Sequence, residues 1–452
     1  MQGLLARGYG SLRHASFLLL GVTDRATAGA TLTRWSALVT TARPRSDDVA
    51  VNLAVTSAGI DAVAPDVARR AVFSEQFTSG MRTAYRSRLL GDTDDNDPRE
   101  WAWGGPAADP VHVLLLVYAD TAERLAVRCD ELIEEAQTGG LRLLHRLATS
   151  ELTPSENFGF HDGISQPHIE GLGAQRTPGE VKAGEFVLGY PNEYGLLTER
   201  PLLPPATDPH GLLPRDAAGS GCSDLGRNGS YLVLRTLRQD VEAFHGFTDA
   251  ATRDTAGRSQ PAERALLAAK MVGRWPSGAP LVVAPAQDDP ALGHSNDFGY
   301  HATDARGLAC PIGSHVRRTN PRDSLDPEPG TEASLAINRR HRLLRRGRGY
   351  GSATSGEECG VHFICLNANL ARQYEFVQHT WVNNPVFNGL EDETDPLIGP
   401  RRAKNTYFTT PARPVRRRYA ELPQFVQVRG GAYFFLPGIR ALRFLAGAGR
   451  PT

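Results

Sequence analysis

The chain has 452 residues, 40% of them hydrophobic, with 50 basic and 50 acidic side chains and a formal net charge of zero at pH 7. That length allows two or three average domains and excludes disorder throughout; the balanced charge removes any general attraction to nucleic acid or to an anionic membrane. Five scattered cysteines with no CxxC pair exclude a disulfide framework and a thiolate zinc site, and no apolar run approaches the length of a bilayer span.

In chain order, Ser16 to Val22 reads as a buried strand. The run Ala15–Val22, preceded by Arg7 and Arg13, has some features of a signal peptide. It is short, however, lacks a persuasive small-residue cleavage site and leads straight into a helix, so a cytoplasmic location is expected, with export by an atypical route left open. Thr23 or Asp24 caps that helix, in which Ala28, Leu32, Trp35 and Val39 recur at helical spacing. Val49, Val51, Leu53 and Val55 alternate as a half-buried strand does. Val111 to Tyr118 is a further strand, followed by a helix with Leu125, Cys129, Leu132, Ile133 and Ala136 on one face and a closing strand through Leu141, Leu143 and Leu147. Strand, helix, strand, strand, helix, strand is the ferredoxin-like order.

The second half repeats fragments of this grammar. Ser230–Leu237 and Val361–Asn367 read as strands, and Leu370, Tyr374, Val377 and Trp381 mark one side of a helix. Ala432–Leu436 reads as a last strand, with Pro437 opening a C-terminal helix that bears Ile439, Leu442 and Leu445. Stretches near 90–110, 200–228 and 320–335 are loops or insertions; Trp101 and Trp103 anchor the first.

The segment Asn157-Phe158-Gly159-Phe160-His161-Asp162-Gly163-Ile164-Ser165-Gln166-Pro167 sets one carboxylate among glycines and aromatics. Where water is partly excluded, such a carboxyl stays within reach of both protonation states and serves as acid and base in turn; the plainer reading is a solvated or capping Asp in a Gly-rich turn. Far downstream stand Cys310-Pro311-Ile312-Gly313-Ser314-His315-Val316-Arg317-Arg318-Thr319-Asn320-Pro321-Arg322 and His341-Arg342-Leu343-Leu344-Arg345-Arg346-Gly347-Arg348-Gly349-Tyr350-Gly351. With Gly184–Tyr194, Gly226–Tyr231 and Trp381–Pro385, these segments resemble the dye-decolorizing peroxidase family of haem enzymes, its longer-chain members above all, from about residue 10 to 445.

The resemblance implies an α+β fold of two ferredoxin-like domains of the dimeric α+β barrel type, with antiparallel sheets packed together and peripheral helices. Residues 1–160 would form the N-terminal domain and 161–452 the C-terminal haem-binding domain with loop insertions. It implies haem b as cofactor and hydrogen peroxide and a dye-like or phenolic organic donor as substrates, with a homo-oligomer possible and neither nucleic acid nor membrane as partner. His315 would be the axial iron ligand, and Asp395 its carboxylate partner or else a turn residue. Asp162 would be the acid/base group, and Arg345, or Arg346 one position on, the arginine above the iron. Arg317 or Arg322 would pair the haem propionates, and His161 would be structural or face the haem edge. Relatives usually carry an apolar residue and proline where this chain has Arg348-Gly349, a change expected to loosen the turn or alter the pocket mouth. A haem carrier or a biosynthetic haem oxidase on the same scaffold is the alternative.

Overall fold

A computed structural model describes residues 1–43, 48–172, 179–353, 355–401 and 406–447. The first half forms β1 (His14–Val22), α1 (Arg25–Leu38), β2 (Val49–Val55), β3 (Val113–Ala119), α2 (Ala122–Thr138) and β4 (Leu141–Ala148). The second half contributes β5 (Ser230–Gln239), α3 (Pro261–Val272), α4 (His315–Thr319), β6 (Leu344–Arg345), β7 (Arg348–Tyr350), β8 (Gly360–Asn367), β9 (Val426–Leu436) and α5 (Ile439–Gly447). Asp24 caps α1 by accepting from Thr27 N at 2.9 Å, as the sequence suggests.

The strands lie in one antiparallel sheet in the order β4-β1-β3-β2-β9-β5-β8-β6, with β7 also on β8. The halves are therefore joined edge to edge, where Val55 of β2 pairs with Phe435 of β9. They also meet face to face: Phe17, Leu116, Leu234, Ile364 and Phe434 belong to one core shared by both halves. At the far rim Ser150 N donates to Gly349 O at 2.9 Å, so the sheet curls until its two ends touch. The opposite face carries the helices, with Trp35 of α1, Leu132 of α2 and Leu442 of α5 packed on Leu18, Leu53 and Leu115.

This curling corrects the expectation for β2. Its alternation predicts one wet face, yet Ala50 to Val55 are all buried. The small residues Ala50, Asn52 and Ala54 fill the shared core and the larger ones face the helices; Asn52, the polar member, is satisfied by Leu4 N at 3.2 Å and by Tyr9 OH at 3.1 Å. The helix expected around Leu370–Trp381 is present with a wider turn, as the π-helical segments Ala371–Glu375 and Val377–Val382. Trp101 and Trp103 are buried loop anchors, donating to Asn96 O at 2.9 Å and Thr236 Oγ1 at 3.0 Å.

A bulge in β9 lets one strand serve two purposes. The register on β5 shifts between Val428 and Gly430, so Val426 and Val428 share a face with Tyr433 and Phe435 although their numbering parity differs. Gly430 is required there, because a Cβ on it would lie 2.3 Å from Trp103 Nε1.

His362 of β8 sits at the closing rim. Its Nε2–H donates to Ala148 O at 3.1 Å, Nδ1 lies 3.2 Å from Thr236 Oγ1, and the ring stacks on Tyr350 at 4.5 Å. Burial pushes its pKa down to about 4, against a weaker upward pull from Ala148 O. The unfolded chain thus takes up a proton near pH 6.5 that the folded chain refuses until about pH 4, so this ring's stabilisation is complete above 6.5 and lost as the pH falls toward 4. Urea unfolding across that window should show a loss of about 3 kcal/mol from this residue. His362→Gln should flatten the slope by that amount; His341, also pushed down to about 4 by burial, is among the groups that contribute to the remainder.

Candidate active site

Outward-facing residues of β5, β8 and β9, among them Leu237, Phe363 and Val428, form one wall of a cavity of about 310 Å³. The other wall is helical: Val272 at the end of α3, His315 and Val316 of α4, and Val377 and Val382 of the π-helical segments. The loop His161–Ser165 and the arginines Arg274, Arg342 and Arg345 complete the lining.

His315 is the first residue of α4. Its Nδ1–H donates to Asp395 Oδ2 at 2.9 Å, and Asp395, wholly buried, also accepts from Leu397 N at 2.9 Å and Ile398 N at 3.0 Å. Burial works against the imidazolium, but the Asp395 charge outweighs it and holds the His315 pKa above its ordinary value. Burial likewise disfavours the Asp395 carboxylate, and His315 overrides it, holding that group below its usual range. The bond fixes the proton on Nδ1 and leaves Nε2, on a side chain that lines the cavity, as a lone-pair donor.

The helix that carries His315 is held by buried arginines. Arg318 donates to Gly313 O at 3.2 Å, Trp381 O at 2.6 Å and Glu393 O, tying α4 to the π-helical wall and to the Asp395 loop. Arg401 Nη2 donates to Asp395 O at 2.8 Å. Arg317 donates to Cys310 O at 2.7 Å and to Asp304 Oδ2 at 3.2 Å, with its guanidinium 4.4 Å from the Tyr300 ring centroid.

Arg345 extends from β6 into the cavity, and its Nη2 donates to Asp162 Oδ1 at 3.3 Å. Strand alternation separates it from Arg346, which turns to the other face and donates to Leu4 O at 2.9 Å. Asp162 stands out at the cavity, with its side chain 65% exposed. The physical reason is the turn itself. Gly159 and Gly163 hold φ of +96° and +83°, which only glycine adopts freely, so Phe158 and Phe160 enter the core while Asp162 stands out toward the cavity. A Cβ on either glycine would meet no protein atom within 4 Å, so the backbone conformation is what requires them. His161 donates its backbone N–H to Pro276 O at 3.0 Å and sets Nδ1 3.3 Å from Ser277 O.

Two expectations about cationic partners change. Arg317 does not line the cavity; Asp304 and the Cys310 carbonyl occupy its guanidinium, and it secures the loop before α4. Arg322, in a left-handed conformation at φ 55°, donates to Asn296 O at 2.9 Å and Phe298 O at 3.0 Å, and stands behind the cavity wall. The other arginines that line the cavity are Arg235, which is paired with buried Asp92, and Arg274 and Arg342; sequence reasoning missed all three. Arg342 donates to Ser165 O at 2.9 Å, and burial, with the charges of Arg322 and Arg345, pushes it down to about 9. Burial pushes Arg274 down to about 10, with Arg322 adding to the effect. Arg348 also differs from expectation: it donates to Tyr9 O at 2.9 Å and Leu12 O at 3.2 Å, tethering the N-terminal segment away from the pocket mouth.

A largely apolar cavity with an imidazole lone pair on one wall, an Asp–Arg pair, and arginines without a carboxylate partner among the described residues fits a tetrapyrrole with two carboxylates. Residues 220–414 match the family described as Dyp-type peroxidase, C-terminal. A dye-decolorizing peroxidase of Mycena epipterygia is 30% identical over 96% of this chain and 84% of its own length. The chain belongs to the Dyp-type peroxidase family. A multifunctional dye peroxidase of an Amycolatopsis species is 29% identical over 95% of this chain and 91% of its own. The crystal structure of a fungal DyP-type peroxidase from Auricularia auricula-judae superposes with a TM-score of 0.79 at 25% identity, over 99% of this chain and 98% of that one. This family member is a haem-dependent peroxidase, an enzyme that acts on peroxide and an organic donor; the carrier alternative is not favoured.

Because Arg317 is structural, Arg317→Leu should destabilise the fold by about 3–5 kcal/mol, the cost of stranding buried Asp304. Its folded fraction should bind haem with unchanged affinity. Denaturant unfolding and a haem absorbance titration measure the two effects separately.

Proposed function

We propose that haem b is held in this cavity by His315 as axial ligand, and that the chain reduces hydrogen peroxide and oxidises phenolic or dye-like donors. The observation that carries this reading is the convergence on one cavity of an imidazole with a free Nε2 and an Asp162–Arg345 pair. Non-covalent haem b is favoured over a thioether-linked haem because the sequence lacks a CxxCH motif. Arg274 and Arg342 take the place expected of Arg317 and Arg322 as partners for the propionates. A dye-decolorizing peroxidase determined in complex with 2,6-dimethoxyphenol, 25% identical with a TM-score of 0.78, supports the phenolic class. The division of the chain into halves is proposed at residues 160–161, just before Asp162.

When bound, haem supplies the electrons that reduce peroxide and later accepts replacements from the donor one at a time. The chain's own groups handle protons and charge. Asp162, as carboxylate, would take a proton from one oxygen of peroxide and deliver it to the other, which would leave as water. Arg345 Nη2, 3.3 Å from Asp162 Oδ1, aims the carboxylate and would offer N–H groups to the oxygen on which negative charge grows. Asp395 keeps the His315 ring oriented and electron-rich.

Absorption spectra of the haem-supplied protein before and after peroxide test these roles. His315→Ala should lose or rearrange iron ligation. Asp162→Asn should keep the resting spectrum and slow the reaction with peroxide by about 10²- to 10⁴-fold; a rate equal to wild type would remove Asp162 as the shuttle. Arg342→Leu should weaken haem retention about tenfold, measured by transfer to apomyoglobin, with stability nearly unchanged.

A further inference from the structure

The turn that presents Asp162 is built around a carboxylate that the mechanism above does not use. Glu156 lines the same cavity, behind the loop. Its Oε1 accepts from Phe160 N at 3.0 Å, and its Oε2 accepts from Phe158 N at 2.9 Å and from Gln239 Nε2 at 2.6 Å. The backbone closes the same ring: Glu156 N donates to Phe160 O at 2.9 Å, and Asp162 N to Pro154 O at 3.0 Å. One side chain thus fixes both ends of the turn, with only His161 between the last clamped amide and Asp162. Gln239, the outer anchor, belongs to β5, so the clamp refers the loop to the sheet wall that also bears Arg345 through β8 and β6.

We infer that Glu156 is a positioning residue for Asp162, a carboxylate whose two oxygens gather the amides of the turn and hold the proton shuttle against Arg345. The inference rests on the reading of Asp162 as that shuttle. Two acceptor oxygens are essential to it, because a carboxylate accepts at both and an amide at only one. Glu156→Gln therefore keeps the shape but turns an NH₂ group toward one of the clamped donors. The loss of charge-assisted bonds to backbone N–H groups leaves the turn free to shift, and displacements of well under 1 Å matter at a reacting group.

The clamp also has a pH dependence of its own. Burial pushes the Glu156 pKa above its ordinary value and the Asp162 charge adds to this, opposed by the Phe158 and Phe160 amides and by Gln239. The titratable groups facing Glu156 are Asp162 on its own loop and the Cys359 thiol beside Gln239, and no salt bridge to it exists among the described residues. As the pH falls through that raised value, one accepting oxygen becomes a hydroxyl and the turn loosens. The clamp therefore adds a protonation of its own, on Glu156, to the acid limb of the reaction with peroxide.

The test is a double-mutant cycle on the haem-loaded protein, following the absorbance change on mixing with hydrogen peroxide from pH 3.5 to 7, a range set by ordinary carboxyl values of about 4. Glu156→Gln should slow the reaction about tenfold at neutral pH, the equivalent of one net bond, and make the acid limb less steep by removing the Glu156 protonation. In an Asp162→Asn background the same substitution should change the rate by less than about twofold, because a residue that acts through another has nothing left to position. Losses that multiply in the double variant, or a Glu156→Gln rate and acid limb equal to wild type, overturn the inference. An Asp162→Asn rate equal to wild type instead overturns the shuttle reading on which it rests. Should Glu156→Gln fail to retain haem, Gln239→Ala decides the matter: it removes one donor to the carboxylate, should slow the reaction by a few-fold and be silent beside Asp162→Asn. A Gln239→Ala rate equal to wild type, or a loss that persists in the Asp162→Asn background, counts against the clamp.

Discussion

The hydrogen bond from His315 to Asp395 joins residues 80 positions apart at 2.9 Å and organises the helical half of the site. A fully buried carboxylate is costly unless every lone pair is engaged. Here the imidazole and the amides of Leu397 and Ile398 engage it, and Arg318 and Arg401 fix the surrounding backbone through carbonyls. Arg318 spends its guanidinium on three separate stretches of chain, which pins the helix that carries His315 although it is only five residues long. The order is physical: without that scaffold Asp395 would not be buried, and without Asp395 the ring would not be aimed.

Charge divides the arginines of the second half into two kinds. Arg317, Arg318 and Arg348 end on carboxylate or carbonyl oxygens inside the protein and act as structural pins. Arg274, Arg342 and Arg345 line the cavity; Arg274 donates to Gly278 O and Ser295 O and Arg342 to Ser165 O, and among the described residues the carboxylate bonded to any of the three is Asp162, on Arg345. Such an excess of positive charge in a partly dry slot is stable only if something anionic completes it, which is why the cavity suits a macrocycle bearing acidic side arms.

Much of this was legible in the sequence. Helical spacing located α1, α2 and α5, and the apolar runs located β1, β3, β5 and β8, because periodicity is a local property written in neighbouring residues. His315 and Asp162 stood out by the segments around them, and Arg345 could be narrowed to one of two positions. The rest depended on contacts distant in sequence. That Arg345 and not Arg346 enters the cavity follows from the pairing of β6 on β8. Arg317 looked suited to a ligand because nothing nearby in sequence reveals that Asp304 is its partner. Arg342 lay within a motif already singled out, three residues before Arg345, whereas Arg274 follows α3 without any local signal. The two wet-and-dry faces expected of β2 disappeared because the sheet curls on itself, a property of the whole chain.

The strands of the second half have no spare side. In β5, Leu232 and Leu234 pack the core shared with the first half, while Arg235, Leu237 and Gln239 border the cofactor cavity. The partition between protein interior and reaction chamber is therefore a single layer of backbone. Any enlargement of a side chain on one side is transmitted to the other, and a slip of one residue would exchange the two sets entirely. The helical wall and the Asp162 turn are under no such double obligation, so diversification of donor range, whether by evolution or by an engineer, has its freest ground there.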